Sequence, residues 1–129
     1  MTMQADYAIT FFYYDDLAPI ARFYEETLGF ELVVDQGMAR IYRVGRSYFG
    51  IVDGNKGHLK TTPKSAALFC MVTDDVEGWH ARLSAAGVPN LTEIRSATWC
   101  DRFFFFEDPA GYALQVQHFR KPEVAALFT

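Results

Sequence analysis

The hydrophobic pattern of the chain runs through one course twice. Residues 7–14, Tyr-Ala-Ile-Thr-Phe-Phe-Tyr-Tyr, are aromatic and β-branched with too few polar groups for a water-facing side, which predicts a strand covered on both faces. It stops at Asp15-Asp16. Ile20, Tyr24 and Leu28 then recur at helical spacing and Gly29 supplies the stop, so the spacing predicts one amphipathic helix over 16–28, with Asp16 as N-cap and Pro19 tolerated in the first turn. Three short strands follow at 30–34, 38–44 and 48–52, separated by Asp-Gln-Gly and Gly-Arg-Ser turns. Residues 54–65 are polar and glycine-bearing without period and read as a linker.

The pattern then restarts. Residues 66–72 predict a strand, Asp75 caps a helix to 86 with Val76, Trp79, Leu83 and Ala86 on one face, and Gly87 ends it. Strands are predicted at 91–94, 102–106 and 112–117, the last two joined by the turn Asp108-Pro109-Ala110-Gly111. The openings Asp15-Asp16-Leu17 and Asp74-Asp75-Val76 lie 59 residues apart (74 − 15), and the closings Gly29-Phe30 and Gly87-Val88 lie 58 apart (87 − 29). The chain therefore reads as a duplicated β-α-β-β-β module, residues 7–53 and 66–118. Matching Tyr48 to Tyr112 leaves the second module with a longer loop around 96–101. A module of this size alone buries only about 60% of its unfolded surface, so the halves are expected to share a core as a single domain over 1–129. The expected class is α+β: eight strands in a mixed sheet curled around a cleft, helices outside. Residues 119–129 form a tail whose apolar end, 124–128, is expected to pack across the sheet or a partner.

Composition adds one hint and removes several functions. Half of the 129 residues are apolar and 16% aromatic, with twelve Phe, more than a core of this size needs, so some are expected to line a pocket. A net charge of −4 without a basic stripe offers no source of phosphate neutralisation, which excludes nucleic acid as the expected partner. The longest apolar run, 66–72, is far short of a membrane span, and residues 1–10 lack a charged segment followed by an apolar run. A soluble, cytoplasmic protein is expected, with Cys70 and Cys100 reduced. No nucleophile elbow, phosphate loop or dinucleotide glycine motif is present: the segment from Gly45 to Gly50 is not Gly-x-Ser-x-Gly, and the one from Gly54 to Gly57 lacks the Lys-Ser/Thr pair. His58, His80 and His118 show no His-x-x-x-His spacing and read as solvated surface side chains.

Phe23-Tyr24-Glu25-Glu26-Thr27-Leu28-Gly29-Phe30, followed at distance by Asp108-Pro109-Ala110-Gly111-Tyr112, resembles the vicinal oxygen chelate superfamily. That superfamily includes glyoxalase I, extradiol dioxygenases, fosfomycin-resistance enzymes and bleomycin-resistance binding proteins, and the resemblance spans residues 7–118. In its metal-using members each half supplies His, Gln or Glu ligands from its first and last strands. The resemblance places those positions at Ile9, Leu68, Gln115 and Ile51, with Gly50 as the off-by-one alternative for the last. Only Gln115 can donate a lone pair, whereas catalytic metal sites use about three protein ligands, so neither a metal nor another cofactor is expected.

What remains is the wall of the pocket. Side chains sharing parity with those positions are Phe11 and Tyr13 on the first strand, Cys70 and Val72 on the fifth, and Ala113 and Gln117 around Gln115 on the last. The resemblance turns Phe103 and Phe105 toward the cavity as well, and Trp99 in the longer loop is a candidate lid. The expected ligand-binding set is Phe11, Tyr13, Cys70, Trp99, Phe103, Phe105, Gln115 and Gln117. Three functions compete. The first is a metal-free binding protein, similar to the bleomycin-resistance type, holding a small, flat, largely apolar molecule between the modules. The second is a metal-free enzyme using Tyr13, Gln115, Arg43 or Asp101 to orient and polarise a substrate, and the third a metal-dependent lyase, isomerase or dioxygenase read in the wrong register. A homodimer is expected from the same resemblance.

Overall fold

The computed structural model describes residues 3–63 and 67–128. The chain divides into two compact units, residues 1–63 and residues 64–129. Among the described residues no helix is long and apolar enough to cross a membrane.

Unit 1 is a four-stranded sheet with one helical segment. Its strands are β1 (Ile9–Tyr14), β2 (Glu31–Asp35), β3 (Ala39–Val44) and β4 (Ser47–Asp53), ordered β1-β4-β3-β2, with β1 parallel to β4 and the other pairs antiparallel. Alternation along β1 sends Phe12 and Tyr14 into the core, while Phe11 on the other face is 38% exposed and Tyr13 half-buried. The strand expected to be covered on both faces is thus covered on one.

The single helix expected over 16–28 is instead two pieces. Asp16 caps α1 (Leu17–Arg22), accepting from Ala18 N at 3.3 Å, and a π-helical turn, Phe23–Thr27, continues it. Leu28 N donates to Phe23 O at 3.0 Å, a reach of five residues. The wider turn puts the adjacent Phe23 and Tyr24 both into the core, which ordinary helical rotation would splay apart. Tyr24 meets Phe49 with ring centroids 4.7 Å apart and shares a hydrogen bond with Tyr14 at 3.2 Å between their hydroxyls. Glu25 of the same turn accepts from Tyr42 OH and Arg40 Nη1, both at 2.8 Å, so the polar groups under the helix are paired.

Unit 2 carries β5 (Leu68–Val72), β6 (Cys100–Glu107) and β7 (Ala113–Phe119), ordered β5-β7-β6, with β5 parallel and β6 antiparallel to β7. The expected start of β5 at Ala66 lies outside the described residues. Helix α2 (Val76–Ala86) begins where Asp75 accepts from Gly78 N and ends at Gly87, whose φ of 67° only glycine adopts without strain. Its buried residues are the expected Val76 and Leu83, while Trp79 and His80 are half-buried and Ala86 is exposed. Against the helix pack Phe104, Phe106, Leu114 and Val116. The tail forms α3 (Pro122–Ala125) and a 3-10 turn (Ala126–Phe128), and the Phe128 ring stacks on Phe119 with centroids 5.2 Å apart.

The described residues thus hold seven strands in two sheets rather than eight in one. The missing strand is 91–94, and its hydrogen bonds explain why. Thr92 N donates to Phe105 O at 2.9 Å and Arg95 exchanges bonds with Phe103, so the segment runs beside β6. The ladder breaks at Thr92: its carbonyl accepts from His80 Nε2 at 2.9 Å, and Phe105 N turns to the Thr92 hydroxyl at 2.9 Å. A side chain from α2 has replaced a rung.

Candidate functional site

With α2 covering one face of the unit 2 sheet, the other is open, and strand pairing fixes what stands on it. Cys70, Gln115 and Phe105 form one row across β5, β7 and β6; Val72, Gln117 and Phe103 form the next. Leu68 pairs with Ala113 beyond them. Phe103 and Phe105 meet at near right angles, 77°, with centroids 5.7 Å apart. The surface is apolar and aromatic, carries no ionisable side chain but the Cys70 thiol in these rows, and holds two amides.

A bulge adds a further residue. Between Cys100 and Arg102 the register of β6 shifts, so that Cys100 opposes Phe119 and Arg102 opposes His118 with Asp101 as the extra residue. The shift returns Cys100 to the open face, where its Sγ donates to Gln117 Oε1 at 3.0 Å. Asp101 and Arg102 both turn to the helix side. There Asp101 accepts from His118 Nδ1 at 2.8 Å, and Arg102 reaches Glu77 at 2.6 Å. His118 Nε2 stands 3.4 Å from Asp74. The hydrogen bond from His118 holds the Asp101 carboxyl below the usual carboxylate range.

Burial pushes the Cys70 thiol up to about 11, with the neighbouring Cys100 adding to the shift, and Cys100 is raised by burial and then by Asp101. In a Cys100→Ser variant, Cys70 is therefore expected to react with iodoacetamide about a hundredfold more slowly than free cysteine at pH 8, because so little of it is thiolate. A rate near that of free cysteine, followed by mass spectrometry, would place the thiol in water.

Trp99 is 63% exposed, in front of β6, yet the turn that carries it is braced. Ala97 N donates to Cys100 O at 2.8 Å, Arg120 N to Trp99 O at 2.9 Å, and the Arg120 guanidinium to Ala97 O at 2.9 Å and Ser96 Oγ at 2.6 Å. The backbone that carries this tryptophan is therefore hydrogen-bonded on both sides of it.

In unit 1 the face away from α1 bears the expected Phe11 and Tyr13. The Phe11 ring lies on Gly50, its partner on β4, so closely that a methyl group there would overlap it. Tyr13 packs beside Gly57. This face is not uncharged throughout: Arg43, beside Tyr48, bonds Glu31 at 3.1 Å and the Tyr48 hydroxyl at 2.9 Å. Arg43 and Asp101, the polarising groups considered for an enzyme, are thus occupied in ion pairs, and Asp101 faces α2.

Strand pairing also bears on the four positions that the resemblance assigns to metal ligands. Ile9 opposes Tyr48 in unit 1 as Leu68 opposes Ala113 in unit 2, so the counterpart of Gln115 is Gly50, and Ile51 is buried on the helix side. The sequence match failed by one residue because Tyr112 belongs to the turn, its N–H held by Asp108 Oδ1 at 3.0 Å. Ile9, Gly50, Leu68 and Gln115 offer one neutral donor, which does not fit a divalent ion. Among the described residues no group of three or more His, Cys, Asp or Glu could hold a metal elsewhere. Two of the three histidines are engaged rather than solvated: His118 as above, and His80 edge-on to Phe104 at 4.9 Å; His58 is exposed.

Of the expected set, the structure brings Cys70, Phe103, Phe105, Gln115 and Gln117 onto one face of unit 2, with Trp99 on the turn beside them, and Phe11 and Tyr13 onto one face of unit 1. Sequence reading missed Cys100, since parity counted from Phe103 puts it on the wrong side, and Arg120, whose brace has no sequence signal.

A family model, the Glyoxalase/Bleomycin resistance protein/Dioxygenase superfamily, matches residues 7–116. No curated protein sequence matches the chain. Among solved structures, lactoylglutathione lyase from Agrobacterium tumefaciens aligns with a TM-score of 0.72 at 22% identity, covering 91% of this chain and 96% of its own. The bleomycin resistance determinant encoded on transposon Tn5 aligns at 0.73 and 21%, covering 91% and 100%. A glyoxalase/bleomycin resistance protein/dioxygenase from Nocardioides aligns at 0.76 and 13%, covering 95% and 88%. At these identities the likeness is one of fold.

Proposed function

The chain belongs to the glyoxalase/bleomycin resistance protein/dioxygenase superfamily, and from that premise we propose that it is a binding protein without a metal centre, taking a small, flat, largely apolar molecule against the open faces of its sheets. The observation that supports this best is the pair of rows Cys70-Gln115-Phe105 and Val72-Gln117-Phe103. An apolar wall with a few placed polar groups is what small-molecule sites look like. Among the described residues the Gln115 side chain has no hydrogen-bond partner, and an amide on such a wall is satisfied by water or by a ligand. The binding set is proposed as Phe11, Tyr13, Cys70, Trp99, Phe103, Phe105, Gln115 and Gln117. Pairing of two copies belongs to the same reading.

Thermal unfolding tests it. A ligand that binds only the folded state adds RT ln(1 + [L]/Kd), about 2.7 kcal/mol at a hundredfold excess over Kd, several degrees of melting temperature for a domain of this size. Bicyclic aromatic compounds are expected to include some that give a saturable rise. Zn²⁺, Mn²⁺, Ni²⁺ and Fe²⁺ are expected to give none, and chelator to change nothing. Stoichiometric metal retained through purification, or a melting temperature that falls on chelation, would overturn the proposal.

A further inference from the structure

The two amides on the open face of unit 2 are not equivalent. We infer that Gln117, held by Cys100, sets which way a ligand lies on this face, and that the ligand it selects carries a neutral hydrogen-bond acceptor, a ketone- or quinone-type oxygen, on a flat apolar body. The inference rests on the binding function proposed above and specifies its ligand.

Gln115 stands between Cys70 and Phe105, neither of which orients it, so it can turn either its oxygen or its nitrogen outward and discriminates little. Gln117 has no such freedom. Its Oε1 accepts from the Cys100 thiol at 3.0 Å, which leaves the NH₂ end as the group presented to whatever lies between Val72 and Phe103. The thiol is fixed in turn, because Cys100 closes the turn that Arg120 braces through Ser96 and Ala97. It also stays protonated and hence a donor, since burial and Asp101 oppose the thiolate. A presented N–H accepts no ammonium, and the two rows contain no Lys or Arg to neutralise a carboxylate. A neutral oxygen acceptor is what remains.

A matched pair of probes tests this: 2-acetonaphthone and 2-isopropenylnaphthalene have the same heavy-atom skeleton and differ in having a carbonyl oxygen or a methylene at one position. Titrated against the whole chain by calorimetry, the ketone is expected to bind about three- to tenfold more tightly, the worth of one net hydrogen bond. Gln117→Leu and Gln117→Glu should both abolish that preference, the latter by setting a carboxylate oxygen against the carbonyl at unchanged length. Cys100→Ala should reduce it, and Cys100→Ser, whose hydroxyl still donates, should keep it. Circular dichroism of each variant checks that it is folded, and the isosteric Gln117→Glu and Cys100→Ser carry the test should either truncation unfold. A ketone preference that survives both Gln117 variants overturns the inference and leaves the binding function standing. Failure of the wild-type chain to bind either probe counts against both.

Discussion

Replacing Phe104 by alanine is expected to cost unit 2 about 3–5 kcal/mol, the range for emptying a fully buried aromatic site. Phe104 has no exposed surface, lies on the α2 side of β6, receives the His80 ring edge-on and sits 6.1 Å from Phe106 between centroids. The loss combines three terms: apolar area returned to water, the cavity left under α2, and the weakened seat of His80, whose bond to Thr92 O ties 91–95 to the helix. Its neighbours in sequence supply the control. Phe103 and Phe105 stand on the open face and keep partial exposure, so alanine at either should cost less than about 1.5 kcal/mol, since much of what they bury is each other. Urea unfolding followed by tryptophan fluorescence measures this directly, because both tryptophans, Trp79 and Trp99, belong to unit 2. Equal costs at 103, 104 and 105 would mean that the open face is as much a core as the helix side, and a ligand wall there would be untenable.

The second large effect is expected at Asp108, the one buried charged or polar residue among those described and 1% exposed. Its Oδ1 accepts from Ala110 N at 2.9 Å and from Tyr112 N at 3.0 Å, and its own N–H donates to Tyr112 O at 3.0 Å, so a single side chain closes the turn that joins β6 to β7. Asp108→Ala strands two backbone donors and should cost about 2 kcal/mol, the toll of buried groups left unpaired. Asp108→Asn keeps an acceptor at the same reach and should lose less than about 1 kcal/mol. The urea midpoints of the two variants compare these directly. An asparagine as damaging as alanine would show that the turn depends on something other than this acceptor.

Much of the architecture was legible because its signals are local. Asp16 and Asp75 as caps, Gly29 and Gly87 as stops and the Asp108-Pro109 turn each follow from the chemistry of one residue, whereas the division of Phe103 and Phe105 from the buried Phe104 and Phe106 came from the family resemblance. What failed is what depends on residues far apart. The π-helical turn is forced by Phe23 and Tyr24 both seeking the sheet, and the strand at 91–94 is undone by His80, twelve residues earlier. The bulge at Asp101 shifts parity without changing composition, so Cys100 was assigned to no site although it touches Gln117. The exposure of Trp99 is legible from its place in the longer loop, whereas the hydrogen bonds that Arg120 makes to its turn are not, because they come from beyond β7.

The ring of Phe11 lying on Gly50 bears on how freely each unit can vary. Phe11 and Gly50 in one half stand where Cys70 and Gln115 stand in the other, so the same pair of strand positions is filled once by bulk against a bare backbone and once by a small thiol beside an amide. A side chain at position 50 requires the Phe11 ring to swing off it or position 11 to shrink, whereas no such overlap couples positions 70 and 115. A library randomised at both pairs should therefore recover folded members at 11 and 50 chiefly as coupled exchanges and at 70 and 115 as independent ones.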